Sequence, residues 1–351
     1  MNTKSLLRIV KEKNIKKLAI IGLAKNTGKT ATLNSLISEA EAEDIIIAAA
    51  SYGRDGEEID VITRQKKPRI IIPSGAIFVT AEEVYERSGV EGELLFSPGM
   101  QTPLGDINIY RNCGQKNEIE LVGLNKRSRL KRVIEKIESD TDLILIDGAL
   151  DRRSSSVPGL VDAAVMATGA VLGNTGETVV DKTLAEVEKF TTPALSETCV
   201  LERINKLQEK DRSALMEKNG SIITFDKPTS IGLMKEIKKH SGLSPLLLFL
   251  KGALTDRLVE GLVGELNWEN MSIVVKDATR IFLKPGNLRL LAEREIDLKV
   301  LEKSDLVAIT VNPTSPYGVN FSSERLVEDL QKKIKEIPVF DIRSQDYAGR
   351  N

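Results

Sequence analysis

Short apolar runs alternate with amphipathic segments along most of the chain. Lys17–Gly22 has the length and the flanks of a buried parallel strand, and a second such strand is predicted at Ile45–Ala50. Between them, Lys29–Ala40 places its apolar residues on one helical face. Strands that alternate with helices favour an α/β fold with a doubly wound, mostly parallel sheet.

The same pattern continues into the second half of the chain. Further strands are predicted at 69–73, 76–80, 143–147, 162–167, 221–225, 272–276, 306–311 and 338–341, and further helices at 127–138, 179–189 and 325–336. Thr80 followed by Glu83 has the spacing of a capping box, which predicts another helix capped by Thr80.

The domain organisation is less regular than the strand pattern. Two alternating strand-like pieces and a turn at Gly114 predict a small β-rich insertion near residues 100–124. The pattern is lost within 190–215, so we divide the chain into a nucleotide-binding core, 1–190, and a second part, 191–351. The second part either continues the fold or forms its own α/β subdomain.

Composition narrows the class of partner and the compartment. Of the 351 residues, 50 are basic and 51 acidic, so a nucleic acid or an anionic membrane is not the expected partner. Cys113 and Cys199 are far apart, which argues against a disulfide framework and a structural zinc site. The apolar run Pro245–Leu250 is too short to span a bilayer, and the first residues do not resemble a signal peptide. We expect a cytoplasmic protein, and a homo-oligomer is compatible with the sequence.

The segment between the first strand and the first long helix has the chemistry of a phosphate-binding loop. Backbone N–H groups at a helix start attract an anion, a Lys reaches the β- and γ-phosphates, and a Ser or Thr hydroxyl binds Mg²⁺. The predicted nucleotide-binding residues are Ala24, Lys25, Asn26, Thr27, Gly28, Lys29 and Thr30. A plain strand–turn–helix joint is the alternative, and Lys25 could equally be a solvated loop residue.

One position departs from the usual spacing of such loops. The pattern G-x-x-x-x-G-K-[ST] would place its first glycine at 23, where this chain has Leu23, and the glycine stands one residue earlier at Gly22. We expect this departure to affect the rate of hydrolysis more than nucleotide binding.

A carboxylate at the end of another strand completes the predicted magnesium site. The apolar run from Leu143 ends in Asp147, an arrangement that sets an acid beside the Mg²⁺ of a phosphate loop. Asp147, together with the Thr30 hydroxyl, is therefore the predicted metal ligand, and Lys29 and Asp147 are predicted to act in catalysis.

Charged loops after two other strands are further candidates. Asp55 could orient or deprotonate the attacking water and Arg54 could offset phosphoryl charge, because ligands sit at the carboxyl ends of parallel strands. The alternative is a charged surface loop, and segment 151–155 has the same two interpretations.

Asn312 could read a purine edge, or could belong to an ordinary Asn-Pro turn. The single histidine, His240, is expected at a helix end without a catalytic role.

Together these motifs resemble a branch of the P-loop NTPases. The broader resemblance is to the branch that contains dethiobiotin synthetase and the cobyrinic acid amide synthetases. It rests on the motifs Ala24–Thr30, Ile146–Ala149 and Asn312-Pro313. A narrower resemblance is to the P-loop subunit of the lysine 5,6-aminomutase reactivase. It rests on the runs 72–82, 102–106, 147–152 and 167–170. The resemblance implies a sheet of P-loop NTPase type.

The narrower resemblance also implies a function. A reactivase uses ATP to open an adenosylcobalamin-dependent aminomutase, release damaged cofactor and admit an intact one. Its P-loop subunit works with a second subunit that resembles the mismatch-repair ATPase. The resemblance therefore implies ATP and Mg²⁺ as ligands and proteins as partners.

Two other functions remain open at this stage. An ATP-dependent small-molecule ligase of the dethiobiotin or cobyrinate kind would consume ATP only with a carboxylate substrate, whereas a repair ATPase would respond to its protein partner. We place the ligase second because neither cysteine has an activating neighbour for amide transfer. The third function is a module that binds nucleotide for stability alone.

Overall fold

The computed structural model describes residues 5–53, 69–149, 159–209, 212–226, 230–240, 242–266 and 268–341. Its α-helices are α1 Leu6–Glu12, α2 Lys29–Ala42, α3 Glu82–Ser88, α4 Arg127–Ile137, α5 Gly176–Phe190, α6 Thr198–Glu209, α7 Ser230–Ile237, α8 Asp256–Glu260, α9 Pro285–Glu293 and α10 Ser323–Lys333. The first strands are β1 Lys17–Gly22, β2 Ile47–Tyr52, β3 Ile70–Ile72, β4 Ile77–Ala81, β5 Gly92–Thr102, β6 Gly105–Asn112, β7 Asn117–Ile119, β8 Gly123–Leu124, β9 Leu143–Ala149 and β10 Ala163–Gly169. The remaining strands are β11 Ser213–Glu217, β12 Ile222–Phe225, β13 Pro245–Leu250, β14 Leu254–Thr255, β15 Ser272–Val275, β16 Ile281–Phe282, β17 Asp297–Val300, β18 Asp305–Asn312 and β19 Val339–Asp341.

The chain divides into two compact units that do not simply follow one another. The first comprises 1–184 and 305–351, and the second comprises 185–304. The sequence-based division at residue 190 assigned the whole end of the chain to the second part, whereas β18 and β19 here belong to the first unit.

A 10-stranded sheet forms the centre of the first unit. Its order is β19-β18-β10-β1-β9-β2-β4-β6-β5, with β8 paired to β2. The neighbours from β19 to β4 are parallel, and β6 and β5 are antiparallel additions at one edge. The fold is therefore α/β with a mostly parallel central sheet, compatible with a doubly wound arrangement.

The apolar runs of the sequence account for the position of the central strands. Leu18 and Ile20 on β1 and Leu145 on β9 are buried, and they join one core with α1 and α2. All residues of β10 are buried, and most of them are alanine, glycine or threonine. The centre of the sheet is thus built from strands that are covered by other parts of the chain.

The β-rich segment is a hairpin on the edge of this sheet. β5 and β6 pair in antiparallel fashion and meet at Thr102 and Gly105, and β6 also pairs with β4. The capping box predicted at Thr80 and Glu83 is wrong. Thr80 lies within β4, its hydroxyl donates to Glu120 O at 2.9 Å, and α3 begins only at Glu82 after Ala81.

The second unit has its own sheet and its own core. The order is β12-β11-β13-β15-β17; β13, β15 and β17 are parallel, and β11 is antiparallel to both its neighbours. Leu248, Ile273 and Trp268 are among its buried residues. His240 ends a short 3-10 helix, with its ring edge-on to Phe225 at 6.0 Å between centroids.

Within the described ranges, no helix has both the length and the apolar content required to cross a lipid bilayer. Cys113 and Cys199 are both exposed and are free thiols.

Candidate functional site: a phosphate loop

The segment 23–28 links the end of β1 to the start of α2, at the carboxyl edge of the central sheet. β1 has β9 on one side and β10 on the other. Gly22, its last residue, is in register with Ala149 of β9 and with Ala167 of β10. Ligands of open α/β sheets bind at this edge, outside the carboxyl ends of the strands.

Two residues with positive φ give the loop its shape. Asn26 has φ 64°, and Gly28, which precedes α2, has φ 90°. Asn tolerates the left-handed region better than most residues, and Gly enters it without steric cost. No described side chain caps the start of α2 at Gly28, so the first N–H groups of this helix lack the capping partner that many helices have.

The Lys29 side chain folds back over the end of β1. A Cβ added at Gly22 would lie 2.7 Å from both Cγ and Cδ of Lys29, and 2.7 Å from the Thr27 hydroxyl oxygen. Real Cβ atoms do not approach so closely, so only glycine at position 22 leaves room for this arrangement. The displaced glycine noted in the sequence therefore has a structural role at its own position.

Two loop carbonyls are held by side-chain donors. The Thr27 hydroxyl donates to Ala24 O at 3.0 Å, and Asn312 Nδ2 donates to Asn26 O at 3.0 Å. The structure has no cis peptide bond among the described residues, and in a planar trans peptide the C=O and the following N–H point in opposite directions. The N–H groups of Lys25 and Thr27 therefore point away from these two side-chain donors.

Leu23 belongs to the strand pairing more than to the loop. Its N–H donates to Ala167 O at 3.1 Å, which continues the ladder between β1 and β10 by one residue. The Leu23 N–H is consequently occupied, and the donors that a ligand could use begin further along the loop.

The carboxylate predicted for the magnesium site lies on the strand next to β1. Asp147 is in register with Ile20 of β1 and with Ser51 of β2. The residue is half-buried, and its Oδ1 is shielded from solvent. Thr30, the second residue of α2, is also half-buried. The two predicted Mg²⁺ ligands thus lie on β9 and at the start of α2, and their role stays a prediction.

Asn312 lies at the end of β18 and contacts the loop directly. Besides its donation to Asn26, its Oδ1 accepts hydrogen bonds from the Thr314 backbone N–H at 3.2 Å and the Thr314 hydroxyl at 2.9 Å. Its predicted role in reading the base stays a prediction. Asp55, Arg54 and the segment 151–155 lie outside the described residues.

Two contacts of this site have no local sequence signal. Gly169, at the end of β10, packs so closely on β18 that a Cβ there would lie 2.2 Å from Asn312 O. The buried hydroxyls of Thr32 on α2 and Thr310 on β18 are 2.8 Å apart. Each contact joins residues that are far apart along the chain, and only strand order brings them together.

The donor chemistry of the site fits a polyphosphate with a hard cation. Loop N–H groups and the Lys29 ammonium suit phosphate oxygens. The Lys29 side chain has room to pack against Gly22 because this residue has no Cβ. A hydroxyl and a carboxylate are ligands that Mg²⁺ prefers. Among the described residues, no group of three or more His, Cys, Asp or Glu side chains is placed to bind a metal.

Comparison of the chain with protein-family models, with curated protein sequences and with solved structures gave no match.

Proposed function

We propose that this chain binds a nucleoside triphosphate, best ATP, with Mg²⁺ at the loop 23–30, and hydrolyses it. The observation that carries the proposal is the Lys29 side chain lying across Gly22, beneath a loop that enters α2 through a left-handed Gly28. A strand–loop–helix joint of this kind supports anion binding, because the first N–H groups of a helix and a nearby lysine favour negative charge.

Each residue has a distinct task in this proposal. The Lys29 ammonium pairs with the terminal phosphates, and the N–H groups from Lys25 to Thr30 donate to phosphate oxygens. Thr30 and Asp147 hold Mg²⁺, which when bound offsets charge on the phosphate oxygens during transfer. Asp55 remains our candidate for orienting the attacking water.

We propose further that hydrolysis drives a conformational change in a protein partner. The support is the resemblance of the runs at 72–82, 102–106, 147–152 and 167–170 to the aminomutase reactivase subunit. In its sharpest form, the partner is an adenosylcobalamin-dependent lysine 5,6-aminomutase whose cofactor has been damaged. A second subunit that resembles the mismatch-repair ATPase would complete the assembly.

The test of nucleotide binding is calorimetry with ATP·Mg²⁺ on the Lys29→Ala protein. We expect binding to be abolished, because the cationic group that reaches the terminal phosphates is removed. Lys131→Ala is the control, since Lys131 is an exposed lysine on α4, outside the loop. Equal affinity of the Lys29→Ala and unmutated proteins would contradict the proposal.

The partner is tested by the rate of ATP hydrolysis. We expect slow basal hydrolysis that rises when an aminomutase inactivated at its cobalamin is added, with recovery of mutase activity in the presence of intact cofactor. A rate that responds instead to a small carboxylate substrate, and not to the mutase, would replace the repair role by that of a ligase.

A further inference from the structure

The end of β18 reaches the phosphate loop across an intervening strand. In the sheet, β10 stands between β1 and β18, so β18 is not a direct neighbour of the strand that leads into the loop. Nevertheless, Asn312 Nδ2 lies 3.0 Å from Asn26 O. This is a specific contact between the end of one strand and the loop of another.

Small residues on β10 make this reach possible. Gly169 is in register with Asn312, and a Cβ at position 169 would lie 2.2 Å from Asn312 O and 2.9 Å from Asn312 Cβ. The two strand ends are therefore closer than any other residue at 169 would allow. One helical turn into α2, the Thr32 hydroxyl forms a fully buried hydrogen bond with the Thr310 hydroxyl, which links the helix after the loop to β18.

The contact fixes the orientation of one loop peptide. Asn26 has φ 64°, in the left-handed region that is uncommon for non-glycine residues, although Asn tolerates it better than most. Its carbonyl is turned toward Asn312, so the Thr27 N–H, which shares the same peptide plane, is turned the other way. Without the amide of Asn312 this peptide would lose the hydrogen bond that orients it.

The Asn312 side chain is in turn held by the hairpin that follows it. Its Oδ1 accepts from both the N–H and the hydroxyl of Thr314. Thr314 forms an antiparallel bridge with Asn320, and Ser315 N donates to Val319 O at 2.8 Å. Both polar atoms of the Asn312 amide are thus engaged, one with the loop and one with the hairpin.

We propose that Asn312 is a positioning residue for the phosphate loop, which aims the Thr27 N–H at the polyphosphate by holding the Asn26 carbonyl. This inference rests on the proposed function and deepens it. It assigns Asn312 to the phosphate end of the nucleotide, in place of the base that the sequence pattern suggested.

The experiment compares three ligands that share a triphosphate, two with different bases and one with no base. Calorimetry with Mg²⁺ measures the affinity of the Asn312→Ala protein for ATP, for GTP and for inorganic tripolyphosphate. A positioning role predicts the same loss for all three, about two- to tenfold, the range that one net hydrogen bond contributes. Thr314→Val is the matched control, because it removes the hydroxyl contact to Oδ1 and leaves the donation to Asn26 in place; it should lose less affinity.

A second measurement needs no ligand. Hydrogen exchange of the backbone amides at 24–28 should be faster in Asn312→Ala than in the unmutated protein, and unchanged at the exposed start of α4. A loss of affinity confined to ATP, or no loss with unchanged exchange, would overturn the positioning role. If the unmutated protein binds none of the three ligands, the proposed function fails, and the exchange rates still decide whether Asn312 holds the loop.

Discussion

Glycine at position 22 leaves space for the Lys29 side chain, because it has no Cβ. Gly22 ends β1 directly beneath the Lys29 side chain, and a Cβ there would lie 2.7 Å from two of its carbons. The Gly22→Ala substitution therefore cannot be accommodated unless Lys29 or the Thr27 hydroxyl moves. Because the lysine is a flexible side chain, we expect it to move and the fold to persist.

The expected result of Gly22→Ala is a loss of ATP·Mg²⁺ affinity of at least about tenfold, since a displaced ammonium loses a charge-assisted contact. Calorimetry measures the affinity, and urea unfolding shows that the protein remains folded. Gly286→Ala on α9 is the matched control, because a Cβ at 286 meets no atom within 4 Å. An unchanged affinity in Gly22→Ala would mean that Lys29 does not need its present position.

In the proposed mechanism, Asp147 contributes to hydrolysis through Mg²⁺ and contributes little to nucleotide binding. Asn has nearly the same shape as Asp and lacks its charge, so Asp147→Asn should weaken the hold on Mg²⁺ and preserve most contacts with the nucleotide. We expect Mg²⁺-dependent hydrolysis to fall by about tenfold or more, while ATP affinity changes by less than about threefold. Steady-state hydrolysis and calorimetry on one preparation give both numbers.

The control for Asp147 lies at the other end of the same strand. Asp142 precedes β9 and accepts a hydrogen bond from Ile46 N at 2.9 Å, so Asp142→Asn makes the same chemical change far from the loop. It should leave hydrolysis intact. Full hydrolysis by Asp147→Asn would remove the metal role assigned to this carboxylate.

For single residues, the local part of the site could be predicted from the sequence. Gly28-Lys29-Thr30 form a contiguous motif that is predicted to follow a strand and begin a helix, and in the structure Gly28 precedes α2 and Lys29 and Thr30 are its first two residues. The hydrogen bond between Asn312 and Asn26 could not be predicted, because its partners are 286 positions apart and meet only through the strand order. The requirement for glycine at 22 likewise depends on where the Lys29 side chain lies.

Between elements, a half-buried carboxylate joins the first two helices. Glu39 on α2 accepts a hydrogen bond from Leu7 N on α1 at 2.9 Å. Burial raises the pKa of Glu39 above its ordinary value of 4.5, although the hydrogen bonds from Leu7 and Ser5 act in the opposite direction. From pH 4.5 upward the native state keeps a proton that the unfolded chain has released. Stability contributed by this group is therefore lost as the pH rises through that window.

The prediction concerns the shape of the stability profile. Glu39→Gln keeps an oxygen that can accept from Leu7 N and does not titrate, so it lacks the pH-dependent loss. The free energy of unfolding of the variant, relative to the unmutated protein, should therefore become more favourable between pH 4.5 and 7. Urea unfolding at several pH values measures it, and parallel profiles would contradict the proposed effect of burial.

The elements predicted best were those with strong periodicity. β1 and the start of α2 occur where the apolar pattern predicted them, and β9, β10 and β18 lie within two residues of their predicted bounds. Thr80 was misassigned because a local capping pattern competed with pairing between β4 and β6, and the pairing prevailed. α6 lies in the segment where we found no pattern, and with β11 it packs in a small core of the second unit.

The order of strands makes the first unit depend on the end of the chain. β18 pairs with β10 along its length, although residues 185–304 separate them in the sequence. Val307 and Ala308 are buried in the same core as β1 and α2. Both the sheet and the contact between Asn312 and the loop 23–28 thus require residues beyond 304, which no apolar pattern in the first half of the chain could indicate.

Two shortened chains test this dependence. A chain that ends at residue 190 lacks β18 and β19, so the apolar strand β10 becomes an edge, and we expect insoluble protein without ATP binding. A chain in which 191–304 are replaced by roughly ten Gly and Ser residues, a flexible connection, retains every strand of the central sheet. It should be soluble and should bind ATP·Mg²⁺ in a manner that Lys29→Ala abolishes.

Soluble yield, circular dichroism and calorimetry distinguish the two chains. If the chain ending at 190 folds and binds ATP as well as the full-length protein, then β18 contributes neither to the core nor to the loop.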